Sequence, residues 1–253
     1  RALLEHRDLD YVVISAPNHW HAQMAIDAMD AGLHVYCEKP LAHTIPECLA
    51  VRRKVKESKK LLQCGVQGMS DDSYEAAARY IGDGAIGKPV LAQVDFSRNF
   101  VNDLWLEQHE ATADPNVNLD WDAFLGSAPK RPWEPDRFFS WRRYWDYSGG
   151  IPTDLLIHRL TRVIKACGLS APSRVVATGG KYVFQDSIAE IPDTFNAMLE
   201  YPAGMTVLLT STMANGSPVR HTIRGHHATL AFTDDGFEII PEDAFSDKAS
   251  SVS

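Results

Sequence analysis

The stretch DYVVISAPNHWHAQMAIDAMDAGLHVYCEKPLA, residues 10–42, decides the fold of the first part of the chain. DYVVISAP is a short apolar, β-branched run ended by Pro17 and Asn18, the pattern of a parallel strand buried on both faces. HAQMAIDAMDAG (21–32) carries apolar residues at helical spacing and stops at Gly32. LHVYCEKP (33–40) reads as the next strand. Working outward, IPECLAVRRKVKESKK (45–60) is a helix with Thr44 as N-cap, Pro46 in its first turn and Glu47 completing a capping box. LLQCGVQG (61–68) is a third strand. Strand, helix, strand, helix, strand with short links predicts a parallel sheet covered by helices on both faces, part of a Rossmann-type doubly wound α/β domain.

From residue 70 the texture changes. SYEAAARYIGDGAIGKP (73–89) reads as a helix ending in a glycine-rich turn, and PVLAQVDFSRN (89–99) as a strand of alternating character. An aromatic, proline-rich loop then runs from about 100 to 147, too long to be a plain connector. A helix over IPTDLLIHRLTRVIKACG (151–168) precedes the long β runs 173–184, 193–204, 205–214 and 220–241, in which YPAGM and DDG are hairpin turns. The expected division is residues 1–68 as a partial Rossmann-like α/β domain and 69–253 as an α+β domain with a large, mostly antiparallel open sheet.

Composition narrows the function classes. A net charge of -8, with Lys and Arg scattered apart from VRRKVKESKK (51–60), gives no electrostatic attraction to nucleic acid. No run of eighteen apolar residues exists, so no membrane-spanning helix is expected. Cys37, Cys48, Cys64 and Cys167 show no clustered spacing, which favours reduced, mostly buried thiols over a disulfide framework or zinc site. The cytoplasm is therefore the expected compartment. The opening RALLEHRDLD begins on Arg1 rather than Met and reads as the inside of a helix and its loop, so the chain is expected to be an internal fragment, and an exported form stays open.

Three positions carry candidate chemistry. In an open parallel sheet, ligands bind outside the carboxyl ends of the strands. Glu38, Lys39 and Pro40 stand at such an end, where a lysine can hold a substrate oxygen and proline fixes the turn. One strand earlier PNHWH (17–21) opens a helix, and Asn18 and His21 could meet a polar ligand there; His19 and His21 lack the third ligand a metal needs. In SGGIPTDLLIHRL (148–160), Asp154 and His158 are four apart on a helix, so the carboxylate can orient the imidazole as a general base.

The succession APNHWH, HVYCEKPLA, LLQCGVQ, GDGAIGKP and then GG with D-x-x-x-H resembles the Gfo/Idh/MocA family over nearly the whole chain, and the forms PNHWH, DWDAFLGSAPKRPW and SWRRYWDYSGG resemble a branch that often acts on sugars. The resemblance implies an NAD- or NADP-dependent oxidoreductase acting on a sugar or polyol hydroxyl. It implies Lys39, Asp154 and His158 as catalytic residues, with His158 taking the hydroxyl proton, Lys39 holding the oxygen and Asp154 orienting His158. It implies Pro17, Asn18, His21, Glu38, Lys39 and Gln67 along the cofactor, and Trp141 and Arg142 beside the substrate with Asp154 and His158. A homo-oligomer through the open sheet is expected, because runs such as MTVLLTSTM (205–213) would expose apolar surface in a monomer.

One departure from the family pattern bears on the cofactor. No strand and G-x-G-x-x-G turn opens the chain; GDGAIG (82–87) ends a helix rather than beginning one, so it is no phosphate loop. Two rival readings stand beside the dehydrogenase. One is glycoside cleavage by transient oxidation, with Tyr144 or His227 as the additional base. The other is a non-catalytic sugar or dinucleotide sensor on the same fold.

Overall fold

The computed structural model describes residues 2–6 and 8–246; the small-polar end DKASSVS lies outside them. In chain order the elements are β1 (Tyr11–Ile14), α1 (Asn18–Asp30), β2 (His34–Glu38), α2 (Ile45–Ser58), β3 (Leu62–Gly65), α3 (Asp72–Gly82), β4 (Pro89–Asp95), α4 (Trp121–Leu125), α5 (Pro135–Phe139), α6 (Ile157–Cys167), β5 (Arg174–Gly180), β6 (Thr194–Tyr201), β7 (Met205–Thr212), β8 (Thr222–Gly225), β9 (Ala228–Phe232) and β10 (Phe237–Pro241).

They form two compact units. The first comprises residues 1–66, 102–154 and 187–191, and the second 67–101, 155–186 and 192–253. The aromatic segment 102–154 thus packs with the three-stranded sheet, whereas the sequence grouped it with residues 69–253. The cause is a set of long-range hydrogen bonds: His19 Nε2 and Trp20 Nε1 both reach the Phe124 carbonyl, at 2.8 and 2.9 Å, and His43 Nε2 reaches the Ser148 carbonyl at 3.3 Å.

In the first unit β1, β2 and β3 pair in parallel in that order. Val12, Ile14, Val35 and Cys37 form one core with Ala22, Ala25 and Met29 of α1 and Val51 of α2. Consecutive strands joined by crossovers of one hand place both helices on the same face. The expected two-sided cover is therefore absent from β1, whose Tyr11 and Val13 are exposed. α2 begins as its sequence predicts: Glu47 N donates to Thr44 Oγ1 and Thr44 N donates to the Glu47 carboxylate. The segment 102–154 contributes a separate aromatic cluster, in which Trp121 stacks on Phe124 with centroids 5.2 Å apart and meets Trp133 edge-on at 5.1 Å. Such pairs add about 0.5–1.5 kcal/mol each beyond their buried area.

The second unit is a seven-stranded sheet in the order β10-β9-β8-β4-β7-β6-β5, antiparallel except where β4 and β7 run parallel. Ala92, Val94, Val207 and Leu209 are buried, as are Ala77 of α3 and Val163 and Ala166 of α6. On the opposite face one register line carries Gln93, Leu208, Met198 and Val176, and the next carries Asp95, Thr210, Asn196 and Thr178. That face alternates apolar and polar rows.

Candidate active site

Lys39 leaves the carboxyl end of β2 and is followed by a cis peptide to Pro40. Its Nζ donates at 2.9 Å both to Oδ1 of Asp154 and to the Asp154 backbone carbonyl. Both side chains are largely withdrawn from solvent, with 15% and 7% of their surface exposed, so the pair lies where screening is weak. Arg142 Nε approaches the same Oδ1 at 3.4 Å, and its guanidinium lies over the Trp141 ring, 4.3 Å from the centroid. One carboxylate oxygen thus joins two cations. Among the described residues Oδ2 accepts no hydrogen bond from the protein, and an ammonium has three N–H donors, so Lys39 keeps one for a further acceptor.

Asp154 belongs to a π turn, Pro152–Leu156, and the α-helical winding of α6 starts at Ile157. The regular i,i+4 face expected for Asp154 and His158 is therefore wound differently at its first half, beginning at Pro152, which cannot donate a backbone hydrogen bond. Gly150 has φ 64°, the left-handed region that lets the chain turn into this segment. The carboxylate meets Lys39 and Arg142 in the first unit. In the second unit, His158 sets its ring edge-on to Phe96 at 5.9 Å.

His21 is almost fully buried, and its two ring nitrogens lie 2.7 Å from the Pro40 carbonyl and 2.6 Å from the Ala16 carbonyl. Both polar atoms are committed to the chain segments that leave β1 and β2. The family resemblance aimed His21 at the cofactor; in the structure its two ring nitrogens face backbone carbonyls of the two loops, and a neutral imidazole can donate to one of them. Pro17 precedes α1, whose first turn has no side-chain cap. Asn18 follows, buried, with its Nδ2 lacking any hydrogen-bond partner. Such an atom costs free energy until an acceptor reaches it. Glu38 faces Gly65 across the β2–β3 register, where an added Cβ would stand 2.9 Å from the Glu38 Oε1. Gln67 is exposed and opens a 3-10 turn in the second unit.

The additional bases considered for glycoside cleavage are placed against that role. The Tyr144 hydroxyl donates to Asp136, and burial, reinforced by that carboxylate, pushes its pKa up. His227 packs against Phe245 and His226, and its backbone N donates to the Ile86 carbonyl before β4. Phe96, which meets His158, follows the other end of β4, a strand's length or about 20 Å away. Among the described residues no group of three His, Cys, Asp or Glu side chains could hold a metal ion, and no helix is long and apolar enough to cross a membrane.

Sequence reading missed what holds this region rigid. Arg143, 1% exposed, donates to Asp103, to Asp136 at 2.8 Å and to Ser187 Oγ at 3.2 Å, and Arg137 donates to Glu134, Asp146 and Glu190. The SWRRYWD run signals many charges, but not their partners.

Residues 1–66 match the "Oxidoreductase family, NAD-binding Rossmann fold", residues 74–175 the "Oxidoreductase family, C-terminal alpha/beta domain", and residues 125–231 the "GFO/IDH/MocA C-terminal domain". The chain belongs to the Gfo/Idh/MocA family. It is 36% identical over 121 residues to levoglucosan dehydrogenase of Pseudarthrobacter phenanthrenivorans, a match covering 48% of this chain and 28% of that enzyme. Over 60 residues it is 45% identical to alpha-N-acetylgalactosaminidase of Shewanella oneidensis, covering 24% of this chain and 13% of that one. A solved structure of levoglucosan dehydrogenase with NADH and levoglucosan superposes with a TM-score of 0.72 at 21% identity, covering all of this chain and 62% of that one. The chain thus spans less than two thirds of the length of these relatives, and the structural likeness speaks to the fold.

The family's dinucleotide can be tested against the residues present. The uncapped first turn of α1 favours a polar or anionic group, and the buried Asn18 amide lacks an acceptor that a ligand could supply. These features fit. A glycine-rich phosphate turn between a strand and a helix is absent from the described residues.

Proposed function

We propose that this family member is an NAD(P)-dependent oxidoreductase that acts on a hydroxyl of a sugar or polyol. The observation that carries the reading is the Lys39–Asp154 pair at the carboxyl edge of the parallel sheet, withdrawn from water and with one ammonium N–H uncommitted. A bound nicotinamide would supply the redox chemistry, and Asn18, Glu38 and the N-terminal turn of α1 would hold it. Lys39 would donate to the substrate oxygen and stabilise charge as it develops there. Asp154 would fix the ammonium, and Arg142 would approach the same carboxylate oxygen from the other side of the pair. His158, four residues further along the same chain segment, would accept the hydroxyl proton. The half-buried Trp141 ring and the Arg142 guanidinium suit a sugar, whose CH faces stack on aromatic faces while its hydroxyls seek polar partners.

Glycoside cleavage by transient oxidation is the second reading, favoured by the short match to alpha-N-acetylgalactosaminidase. Of the bases considered for it, Tyr144 donates its hydroxyl hydrogen bond to Asp136 and His227 lies at the opposite end of β4 from Phe96. The product separates the two readings: NADH accumulates in net oxidation, whereas a released aglycone with no net cofactor change marks cleavage. The first test is binding. The full-length protein is purified and denatured and any released nicotinamide identified by mass, then NADH is titrated by fluorescence; a dinucleotide in neither assay would refute the oxidoreductase reading. Association through the row Leu208, Met198 and Val176 is part of the same proposal, and a dilute sample at monomer mass would count against it.

A further inference from the structure

We infer that the second unit holds an oxyanion-binding site, built on Arg159 and Arg162 and suited to the carboxylate of a sugar acid or the phosphate of a sugar ester. The two arginines stand on α6, three residues apart, and line a cavity of about 660 Å³. Arg159 is half-buried, its Cζ lies 4.9 Å from the centre of the Phe96 ring, and among the described residues it makes no hydrogen bond or ion pair, its Nε being sealed without a partner. Burial, and after it the charge of Arg162, disfavours its protonated form. A guanidinium placed like this is a standing cost unless an anion completes it.

The acids nearby do not supply that anion. The Asp95 carboxylate is engaged by Ser97 N at 3.0 Å, Ser97 Oγ at 2.7 Å and Thr210 Oγ1 at 3.2 Å. Asp71 accepts from Ser73 N at 3.0 Å and from the Ser73 hydroxyl, and it reaches Arg162 only at 3.4 Å. Asp72, Asp234 and Asp235 are exposed. Deeper in, Tyr74 is 2% exposed, stacks on Phe232 at 4.0 Å, and carries the Arg162 guanidinium over its ring at 5.3 Å, with no hydrogen bond of good geometry to its hydroxyl. Unmet donors inside and solvated acceptors outside suit a ligand with an anionic end and hydroxyls along its length. Guanidinium forks match carboxylate and phosphate oxygens in pairs, which an uncharged sugar cannot offer.

The test is calorimetric titration of the purified protein at low ionic strength with glucuronate, inorganic phosphate and glucose. Glucuronate or phosphate should bind with an affinity that depends on Arg159, and glucose should show no such dependence. Arg159→Gln, checked for folding by its melting curve, should weaken the anion about 10- to 100-fold, the range of a charge-assisted hydrogen bond. Arg174→Gln, on β5, should leave it unchanged. Should Arg159→Gln fail to fold, phenylglyoxal labelling of the wild type, read by peptide mass, answers the same question: either anion should protect Arg159 and Arg162. Binding of glucuronate alone assigns the site to sugar acids, of phosphate alone to phosphate esters. Glucose affinity weakened by Arg159→Gln as much as that of glucuronate, anion affinity unchanged by Arg159→Gln, or neither heat nor protection would overturn the proposal. Binding is read without turnover, so the outcome is independent of the oxidoreductase reading.

Discussion

Lys39 and Asp154, 115 residues apart in the chain, are joined twice: the lysine ammonium donates to the aspartate carboxylate and to its backbone carbonyl, each at 2.9 Å. The carboxylate therefore serves Lys39 as well as any role it has toward His158. Lys39→Ala should lower kcat/KM for the sugar substrate by about 10²- to 10⁴-fold, and Asp154→Ala by a similar factor. Because the two act as one unit, the double variant should lose little more than either single one. Steady-state kinetics on the four proteins checks this, and full additivity would refute the coupling.

His158 is proposed to take the proton and not to hold the cofactor. His158→Ala should cut kcat by about 10²- to 10⁴-fold while leaving NADH affinity, measured by fluorescence titration, within a few fold. Turnover near the wild-type rate would remove His158 from the mechanism.

Much of the fold is legible locally. Residues 10–68 declare their strands and helices through apolar period, Gly32 and Pro17, and the Thr44–Glu47 box forms as written. The site is legible only in part. His19 and Trp20 bind the carbonyl of Phe124 from 105 and 104 residues away, and this draws the aromatic segment to the first sheet. No period or spacing records such a contact. The family resemblance put Lys39 and Asp154 in one site, yet it paired Asp154 with His158, and the Lys39 contact emerged only from the folded chain. The His21 ring shows the same limit: its position at a strand end was readable, but not that two backbone carbonyls would occupy it.

Asp193 offers a test of stability. Fully buried, it accepts the backbone N–H groups of Tyr182, Val183 and Phe184, at 2.8, 2.8 and 3.1 Å, and the Thr194 hydroxyl at 2.9 Å. Burial alone would raise its pKa, but these donors together outweigh it and hold the carboxyl below the ordinary value. The stabilisation is thus complete above the unfolded pKa of about 3.9 and is lost as pH falls through the lower folded value. Asp193→Asn should lower the melting temperature at pH 7, and the gap to wild type should close as the pH is taken down to about 2. A gap independent of pH would show that the charge is not what matters.

The four cysteines are free thiols that take no part in the proposed chemistry. Cys37 and Cys64 are register partners on β2 and β3, and burial pushes them up to about 12 and about 11, while Cys167 on α6 is pushed up to about 12. Burial also raises Cys48. The thiolate is the nucleophile, so at pH 8 less than about one in a thousand of the Cys37, Cys64 and Cys167 side chains is reactive at any moment. Iodoacetamide should therefore label the folded protein slowly and the guanidinium-unfolded protein at all four cysteines within minutes, as read by intact mass. Fast labelling of Cys37 in the folded state would mean that the β2–α1 core opens far more readily than its packing implies, and it would undercut the rigid placement of Lys39, two residues along the same strand end.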